Sequence, residues 1–366
     1  MNRRTFLKSS ATAAVALPAL ASAATPAPRS VNRGPAKIAA YYLRAHMYTC
    51  VPRHIRDDME WMADKGTDFV CPAVLEQDLF AAKENLDLIT AEAARVGIQV
   101  LAVPSRWGGL TAGAPKVPSL FSMLNPDTLL VNKKGTSAIQ PKVSGSISSI
   151  HHPKTFRFFC DTLAEMYTQH PTWSGFIIDE PKCFMVDTSK MAVAALGKDA
   201  PIEVHYRAAS DFFGRVCAFA KQKWPDKQTI MFQQAHLNLA ELEIGAVTPN
   251  LDYYGADGRP WGLADDDKMK GSAEGQESGK GKVLLSGKGQ AFIDQARRTP
   301  GRKSFFLIEN HNLQASMIEP LDRNYPEVLR LPADMFCYYY YPRNVEEPDR
   351  TMNVIGGHIR RFTRGT

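Results

Sequence analysis

The sequence predicts an α/β fold of one domain, a closed (β/α)8 barrel, and three observations support this prediction. Short apolar runs rich in β-branched and aromatic residues alternate with amphipathic or Ala-, Glu- and Lys-rich stretches, the pattern of repeated strand–helix units. Eight such runs can be identified, and eight strands close a parallel barrel. No Pro- or Ser-rich linker divides the chain, so all the units belong to one domain.

The elements follow from these runs and from the residues that stop them. The predicted strands are Ile38–Leu43, Phe69–Val74, Gln99–Pro104, Phe176–Ile178, Thr229–Gln233, Leu251–Tyr254, Phe305–Ile308 and Met335–Tyr341. Four helices are predicted between these strands, and each ends at or just before a Gly or Pro residue, as helices commonly do. They are Arg56–Lys65, Glu84–Val96, Thr155–His170 and Ile202–Lys223.

Two long irregular stretches follow the third and the sixth predicted strands. They cover residues 108–153 and 262–290. In a (β/α)8 barrel, the loops that follow strands build the active-site face. We therefore expect the first stretch to form a partly ordered wall of the substrate site. The second, rich in Gly, Lys, Asp and Ser, has the composition of a mobile flap.

The N-terminus predicts export. Residues 1–23 combine a paired-arginine region, a short Ala-rich apolar region from Ala11 to Leu20, and the small-x-small sequence Ala21-Ser22-Ala23. This pattern is typical of a twin-arginine signal peptide, so we expect a periplasmic or secreted protein. Residues 24–36 are predicted to be a flexible segment, and residues 37–366 the catalytic barrel. No apolar run is long enough to span a membrane.

Charge and cysteine spacing exclude several classes of function. Removal of residues 1–23 takes away Arg3, Arg4 and Lys8 and no acid, so the formal charge falls from +6 to +3. A nearly neutral chain without a basic stripe is not typical of nucleic-acid binding. The six cysteines show no C-x-x-C or Cys/His zinc spacing, and buried free thiols are expected, although export would permit a disulfide. No cofactor and no metal are predicted, and the oligomeric state is left open.

Carboxylates at the ends of two apolar strands are the principal functional signal. The run Gly175 to Ile178 ends on Asp179 and Glu180, and the run Phe305 to Ile308 ends on Glu309. An unpaired buried charge costs several kcal/mol, so carboxylates at strand ends point to acid, base or nucleophile chemistry. Alternation along a regular strand would turn only one of Asp179 and Glu180 towards the barrel axis, but a relaxed strand end can bring both into the cleft.

Other strand ends carry aromatic and polar side chains of the kind that line a ligand pocket. Aromatic faces stack on apolar surfaces of a ligand, and Arg, Gln, Asp and His bind its polar groups. On this basis, the predicted substrate-binding residues are Tyr42, Arg44, Arg106, Trp107, Gln234, His236, Tyr254, Asp257, His311 and Tyr341.

An Asp-Glu-Pro sequence after strand four and a Glu after strand seven resemble the clan A glycoside hydrolases. The resemblance implies that Glu180 is the acid/base and Glu309 the nucleophile. That clan usually has Asn before the acid/base, whereas this chain has Asp179. The adjacent Asp and Glu are similar to the substrate-assisted hexosaminidases of glycoside hydrolase families 20 and 123. There the Asp orients the acetamido group of the substrate and the Glu is the general acid, so the specific family stays open.

Two functions of other classes remain on the sequence alone. A metal-dependent sugar isomerase or lyase would use the same carboxylates and histidines as ligands, although no H-x-H or H-x-x-E spacing supports it. A glycan-binding barrel without catalysis would require Glu180 or Glu309 to lie far from the cleft. The separation of these two carboxyl groups therefore discriminates among the three functions.

Overall fold

Eight parallel strands form a closed barrel in the computed structural model, which describes residues 31–43, 50–113, 117–137, 139–140, 145–235, 239–261 and 288–365. The strands are β1 (Lys37–Tyr42), β2 (Phe69–Val74), β3 (Gln99–Pro104), β4 (Gly175–Asp179), β5 (Gln228–Gln234), β6 (Tyr253–Gly258), β7 (Lys303–Ile308) and β8 (Met335–Tyr340). Each pairs with the next along the chain, and β8 pairs with β1. The predicted (β/α)8 fold is confirmed.

Helices surround the barrel and connect its strands. They are α1 (Pro52–Lys65), α2 (Asp78–Ala81), α3 (Lys83–Arg95), α4 (Leu120–Leu124), α5 (Pro153–Gln169), α6 (Lys190–Leu196), α7 (Ile202–Lys223), α8 (Leu239–Ala246), α9 (Lys288–Arg297), α10 (Ile318–Leu329) and α11 (Pro348–Arg364). The helix α7 has the predicted bounds. The helix α1 begins earlier than predicted because Pro52 occupies its first turn, where a missing N–H costs nothing.

The strand β6 starts and ends later than predicted. The sequence places a strand over Leu251–Tyr254, whereas the structure has Tyr253–Gly258. Gly and Asp are uncommon in strands, so Gly255 and Asp257 favour a loop in the sequence. In the structure, however, the backbones of both residues pair with β5 and with β7. The pairing partners, which are distant in sequence, therefore override the local preference.

Side chains alternate between the inside of the barrel and the helix layer. Tyr41 belongs to the inner cluster together with Phe232 and Leu307, while Tyr42 and Tyr254 belong to the outer core between strands and helices. Because each strand pairs residue by residue with its neighbours, this alternation decides which residues can reach the open end of the barrel.

The long stretch after β3 contains ordered structure. It includes α4, a 3-10 turn at Trp107–Gly109, and a short antiparallel pair formed by residues 139–140 and 145–146. Buried Glu76 stabilises the stretch, since its carboxylate accepts hydrogen bonds from Ser119 Oγ at 2.6 Å and Gly108 N at 2.8 Å. Residues 262–287 of the predicted flap after β6 lie outside the described residues. The helix α9 begins at Lys288.

The first and last described segments meet at the N-terminal side of the barrel. The signal-peptide residues lie outside the described residues, but Asn32 donates a hydrogen bond to Asp68 at 2.6 Å and Arg33 N donates to Thr363 O at 2.7 Å. This part of the segment expected to be flexible is therefore held against the barrel. None of the described helices is long and apolar enough to cross a membrane. All six cysteines are free thiols, and only Cys50 is not fully buried.

Close packing of β6 against β7 gives a testable prediction for Gly255. A Cβ atom at this position would lie 1.6 Å from the Phe305 carbonyl oxygen, which is backbone and cannot move aside. We expect Gly255→Ala to prevent folding or to lower the free energy of unfolding by more than about 3 kcal/mol, measured by urea titration. Gly357→Ala is the control, because its Cβ would meet nothing closer than 3.7 Å and alanine favours the helix. Equal stability of the two variants would contradict this packing.

Candidate active site

A cavity of about 200 Å³ opens at the C-terminal end of the barrel. It is lined by residues that end or follow β1, β3, β4, β5, β7 and β8: Leu43, Arg106, Ala112, Gly113, Asp179, Glu180, Lys182, Gln234, Glu309, His311, Tyr339, Pro342 and Arg343. The cavity brings the carboxylates after strands four and seven together. Ala112 and Gly113 belong to the long stretch after β3, which therefore contributes to the cavity wall.

Two adjacent carboxylates reach the same cavity because the backbone turns at Glu180. Asp179 is the last residue of β4 and faces inwards by alternation, whereas Glu180 has φ of 35°, in the left-handed region that a non-glycine residue rarely adopts. Hydrogen bonds hold the turn on both sides, from Glu180 N to Phe232 O at 3.0 Å and from Ala112 N to Asp179 O at 2.7 Å. Such a conformation costs on the order of 1–3 kcal/mol, which the surrounding structure must supply.

Asp179 lies in a nearly dry environment. Its side chain is buried and accepts a hydrogen bond of 2.7 Å from the Tyr41 hydroxyl. Burial, and then the negative charge of Glu180, raise the pKa of Asp179 to about 7, although Tyr41, Lys182 and Arg106 act in the opposite direction. Asp179 therefore retains its proton at pH values where an ordinary carboxyl group is ionised.

Glu180 has the opposite surroundings, since two donors converge on one of its oxygens. The Lys182 ammonium donates to Glu180 Oε2, and Gln234 Nε2 donates to the same atom at 2.7 Å. Hydrogen bonds of this kind favour the ionised carboxylate. The neighbouring carboxyl groups thus have different surroundings, as acid and base pairs in active sites commonly do.

Glu309 and Asp257 complete a group of three carboxylates with Glu180. One oxygen of each lies within 4.8 Å of the others. Glu309 follows β7 directly, and Asp257 faces inwards from β6; both are buried. Carboxylate oxygens are ligands for hard cations such as Mg²⁺ or Ca²⁺, so these three residues could hold one. Among the described residues, no histidine or cysteine belongs to this group.

Two arginines also line the cavity. Arg106 follows β3 with φ of 64°, is 4% exposed, and donates from Nη2 to Gly113 O at 2.9 Å. Arg343 follows β8. Burial lowers the pKa of Arg106, and the positive charge of Arg343 lowers it further, against the attraction of Asp179, Tyr41 and Glu180.

Comparison with known proteins identifies the fold. No protein-family model matches the chain, and no curated protein is similar to it in sequence. The β-amylase catalytic domain from Paenibacillus polymyxa matches with a TM-score of 0.56 at 9% identity, over 90% of this chain and 97% of that one. GH5_18 from Streptomyces cattleya, in complex with GlcNAc, matches with a TM-score of 0.55 at 12% identity, over 93% and 82%.

A third match is the GH20 exo-β-N-acetylglucosaminidase from Vibrio harveyi in complex with N-acetylglucosamine, with a TM-score of 0.53 at 11% identity. It covers 90% of this chain, which spans only 54% of that one. The chain shares the barrel of these glycoside hydrolases. At such low identities the likeness establishes the fold alone, and the expected resemblance is confirmed at that level.

The expected positions of Tyr42 and Tyr254 in the cleft are wrong. Both side chains point into the helix layer, where the Tyr42 hydroxyl donates to Asp58 Oδ2 at 2.6 Å and the Tyr254 hydroxyl donates to Leu242 O at 2.9 Å. The physical reason is that side chains along a strand point alternately into and out of the barrel. Both tyrosines occupy strand positions whose side chains point outwards, towards the helices, which is the outward parity.

Trp107 and Tyr341 also lie outside the cavity. Trp107 is fully buried, donates from Nε1 to Val74 O at 2.9 Å, and packs edge-on against Phe159. The Tyr341 hydroxyl donates to Asp349 Oδ1 at 2.7 Å. Both residues follow strands as predicted, but the loop backbone turns their side chains towards neighbouring helices. Arg44 and His236 lie outside the described residues.

Of the remaining predictions, Arg106, Gln234 and His311 line the cavity, and Asp257 lies in the carboxylate group. Sequence reasoning missed Lys182, Tyr339, Arg343 and Tyr41. The alternation along a strand could have identified two of them, since Tyr41 and Tyr339 lie an even number of positions from the inward-facing residues of β1 and β8. Nothing comparable marks Lys182 or Arg343, which lie on loops beyond the strand ends.

The protonation of Asp179 gives a prediction for stability against pH. The unfolded chain releases this proton near pH 4 and the folded protein near pH 7, so the wild-type protein loses stability as the pH rises between these values. Asp179→Asn mimics the protonated form and still accepts a bond from Tyr41. We therefore expect the free energy of unfolding of the Asp179→Asn variant, relative to that of the wild-type protein, to increase from pH 5 to pH 8 by on the order of 1–4 kcal/mol.

Thermal unfolding at the two pH values measures this effect. The control is Asp226→Asn, the same change at a carboxyl group that is 74% exposed. A relative stability of Asp179→Asn that is the same at pH 5 and pH 8 would show that Asp179 is ionised throughout.

Proposed function

We propose that the protein is a glycoside hydrolase in which Glu180 and Glu309 carry the reaction. The observation that supports this most strongly is their separation, since one oxygen of each lies within 4.8 Å of the other in a shared cavity. Retaining glycosidases hold their two carboxyl groups about 5–5.5 Å apart, whereas inverting enzymes leave about 6.5–9.5 Å for a water molecule. The geometry therefore favours retention.

In this mechanism, Glu309 attacks the anomeric carbon while the glycosidic C–O bond breaks. Glu180 delivers a proton to the departing oxygen, which leaves as an alcohol, and a glycosyl ester forms on Glu309. Glu180 then removes a proton from water, which attacks the anomeric carbon and releases Glu309. The cycle returns both carboxyl groups to their starting states and consumes one water.

Three neighbours control the acid/base in this proposal. Lys182 and Gln234 fix the position of Glu180 by donating to the same oxygen, and a fixed acid loses less entropy when it reacts. Because the Lys182 ammonium favours the carboxylate form, Glu180 must take up a proton from solvent before it can act as the acid. Asp179 is the adjacent group that holds a proton near neutral pH.

Substrate assistance is the second candidate mechanism. It is favoured by one observation, the turn that brings Glu180 into the cavity that Asp179 already faces. In this version, Asp179 orients a 2-acetamido group that attacks the anomeric carbon of its own sugar, Glu180 is the acid, and Glu309 only binds substrate. The raised pKa of Asp179 argues against it below pH 7, because orientation of a developing cation requires the anion.

The other classes of function have less support. A binding barrel without catalysis requires separated glutamates, and these two share a cavity. A metal-dependent isomerase or lyase would use Glu180, Asp257 and Glu309 as ligands, but the ammonium of Lys182 already lies against Glu180. Loss of activity after EDTA treatment, restored by Mg²⁺ or Mn²⁺, would favour the metal enzyme; we expect activity to survive the chelator.

We further propose that the protein acts outside the cytoplasm. The paired arginines, the Ala-rich region and the cleavage sequence of residues 1–23 support export of the folded chain. A polymeric or extracellular carbohydrate is then the natural substrate.

Substitution of the two glutamates tests the proposed mechanism. Glu180→Gln cannot protonate a leaving group, so we expect a loss of about 10²–10⁴-fold in kcat on alkyl glycosides and a much smaller loss on 4-nitrophenyl glycosides. Glu309→Gly should be inactive alone and partly recovered by azide, which fills the vacated space and attacks in place of the carboxylate. The panel includes both anomers, with and without a 2-acetamido group.

The same panel separates the two mechanisms. An active Glu309→Gly enzyme that is selective for 2-acetamido sugars and crippled by Asp179→Asn would establish substrate assistance. Full activity of both glutamate variants would refute glycoside hydrolysis at this site. Glu327→Gln, at an exposed position on α10, is the matched control and should have wild-type activity.

A further inference from the structure

The carboxylate of Glu76 joins two parts of the long stretch after β3. Glu76 follows β2 and is 7% exposed. Its Oε1 accepts hydrogen bonds from Gly108 N at 2.8 Å and from Ser119 Oγ at 2.6 Å, and its Oε2 accepts one from Phe121 N at 2.6 Å. One buried acid therefore holds the start of α4 against residues 106–113, which we call the wall loop.

The wall loop is in turn bonded to the backbone turn at Glu180. Ala112 N donates to Asp179 O at 2.7 Å, and Lys182 N donates to Leu110 O at 2.7 Å. These two hydrogen bonds lie on either side of Glu180, whose φ of 35° is rare for a residue other than glycine. Because a strained conformation persists only where its surroundings hold it, the wall loop helps to fix the direction of the Glu180 side chain.

Close packing allows the wall loop to transmit a displacement from one end to the other. Arg106 N donates to Ala112 O at 3.0 Å, which closes the loop on itself. A Cβ atom at Gly109 would lie 2.3 Å from Ser146 O, so the backbone there is in close contact with its neighbour. Well-packed interiors have low compressibility and transmit strain. A change in the anchoring of the loop by Glu76 should therefore reach the turn.

We propose that Glu76 is a positioning residue for the acid/base. It fixes the wall loop at Gly108, the wall loop fixes the turn, and the turn directs Glu180 and the Lys182 ammonium that donates to it. Glu76 is not among the described residues that line the cavity, so it acts through this path and not by contact with substrate. The identity of the acid/base rests on the proposed function.

The kinetics of Glu76→Gln test this role. Glutamine has nearly the same shape but accepts at one oxygen only, so either Gly108 N or Phe121 N loses its acceptor. In a series of aryl glycosides, we expect kcat/KM to fall by about 10- to 100-fold for phenol as leaving group and by less than about 3-fold for 4-nitrophenol. The reason is that the poorer leaving group needs the proton of a correctly placed Glu180, whereas partial unfolding would lower both values equally.

Asp68→Asn is the matched control. Asp68 is also 7% exposed and accepts hydrogen bonds from Asn32 Nδ2 at 2.6 Å and Ile38 N at 2.9 Å, but it precedes β2 at the opposite end of the barrel. This variant should lose stability without any dependence of kcat/KM on the leaving group.

Two further variants complete the kinetic test. Ser119→Ala removes one donor to Glu76, so it should give the leaving-group pattern of Glu76→Gln at smaller amplitude, and it serves if Glu76→Gln does not fold. In the Glu180→Gln background, Glu76→Gln should cause no further loss on the phenyl glycoside, because both changes impair the same proton transfer. A loss that is equal for all leaving groups, or fully additive losses in the double variant, would overturn the proposal.

Amide hydrogen exchange separates this proposal from the proposed function, because it needs no substrate. The amides of Ala112 and Lys182 should exchange about 10-fold faster in Glu76→Gln than in the wild-type protein, and at the wild-type rate in Asp68→Asn. Faster exchange in a protein that cleaves no glycoside would leave the path from Glu76 to the turn standing and refute only the proposed function. Unchanged exchange of both amides in folded Glu76→Gln would refute the path, whatever the catalytic result.

Discussion

The alternation of side chains along eight parallel strands determines which groups of the strands face the open end of the barrel. Tyr41, Asp179, Gln234, Asp257 and Tyr339 all have inward parity on their strands, and Glu309 continues the parity of Phe305 and Leu307 one step beyond β7. The main exception is Glu180, whose left-handed backbone turns a side chain of the wrong parity into the same space. The carboxylate arrangement therefore depends on one strained residue held by hydrogen bonds to β5 and to the loop after β3.

The turn at Glu180 also has electrostatic consequences. Two carboxyl groups adjacent in sequence share a cavity and cannot both ionise easily, and their neighbours resolve the conflict in opposite directions. Burial leaves the proton on Asp179, while Lys182 and Gln234 favour the anion at Glu180. Beyond this pair, Glu309 and Asp257 add two carboxyl groups to the site, and Arg106 and Arg343 add two guanidinium groups. The site thus brings carboxyl groups with different surroundings and several cationic side chains together around a cavity of about 200 Å³.

The sequence predicted the barrel and the two carboxylate-bearing strand ends because both depend on local patterns. Apolar runs and Gly or Pro stops identify the strands and helices, and a carboxylate that interrupts an apolar run is visible without a structure. The predictions failed where a side chain's direction depends on parity or on a turn. Tyr42 and Tyr254 were assigned to the cleft by their position near strand ends, although counting inward residues along β1 and β6 assigns them to the helix layer. No local pattern reveals that Lys182 bonds to Glu180, because the course of their shared loop depends on the turn at Glu180. Nor does one reveal that Arg106 and Arg343 line the same cavity, because they lie on loops after different strands.

The central claim is that Glu309 forms a covalent bond with the sugar across the cavity from Glu180. The most direct test is to incubate the protein with a 2-deoxy-2-fluoro glycoside that carries a good leaving group, chosen to match the best substrate. The fluorine slows hydrolysis of the glycosyl ester, so the ester accumulates, and peptide mass spectrometry locates it. The account predicts one added sugar on the peptide containing Glu309 and none on the Glu309→Gln variant. A label on Asp179 or Glu180, or rapid turnover of a good substrate with no label at any residue, would contradict it.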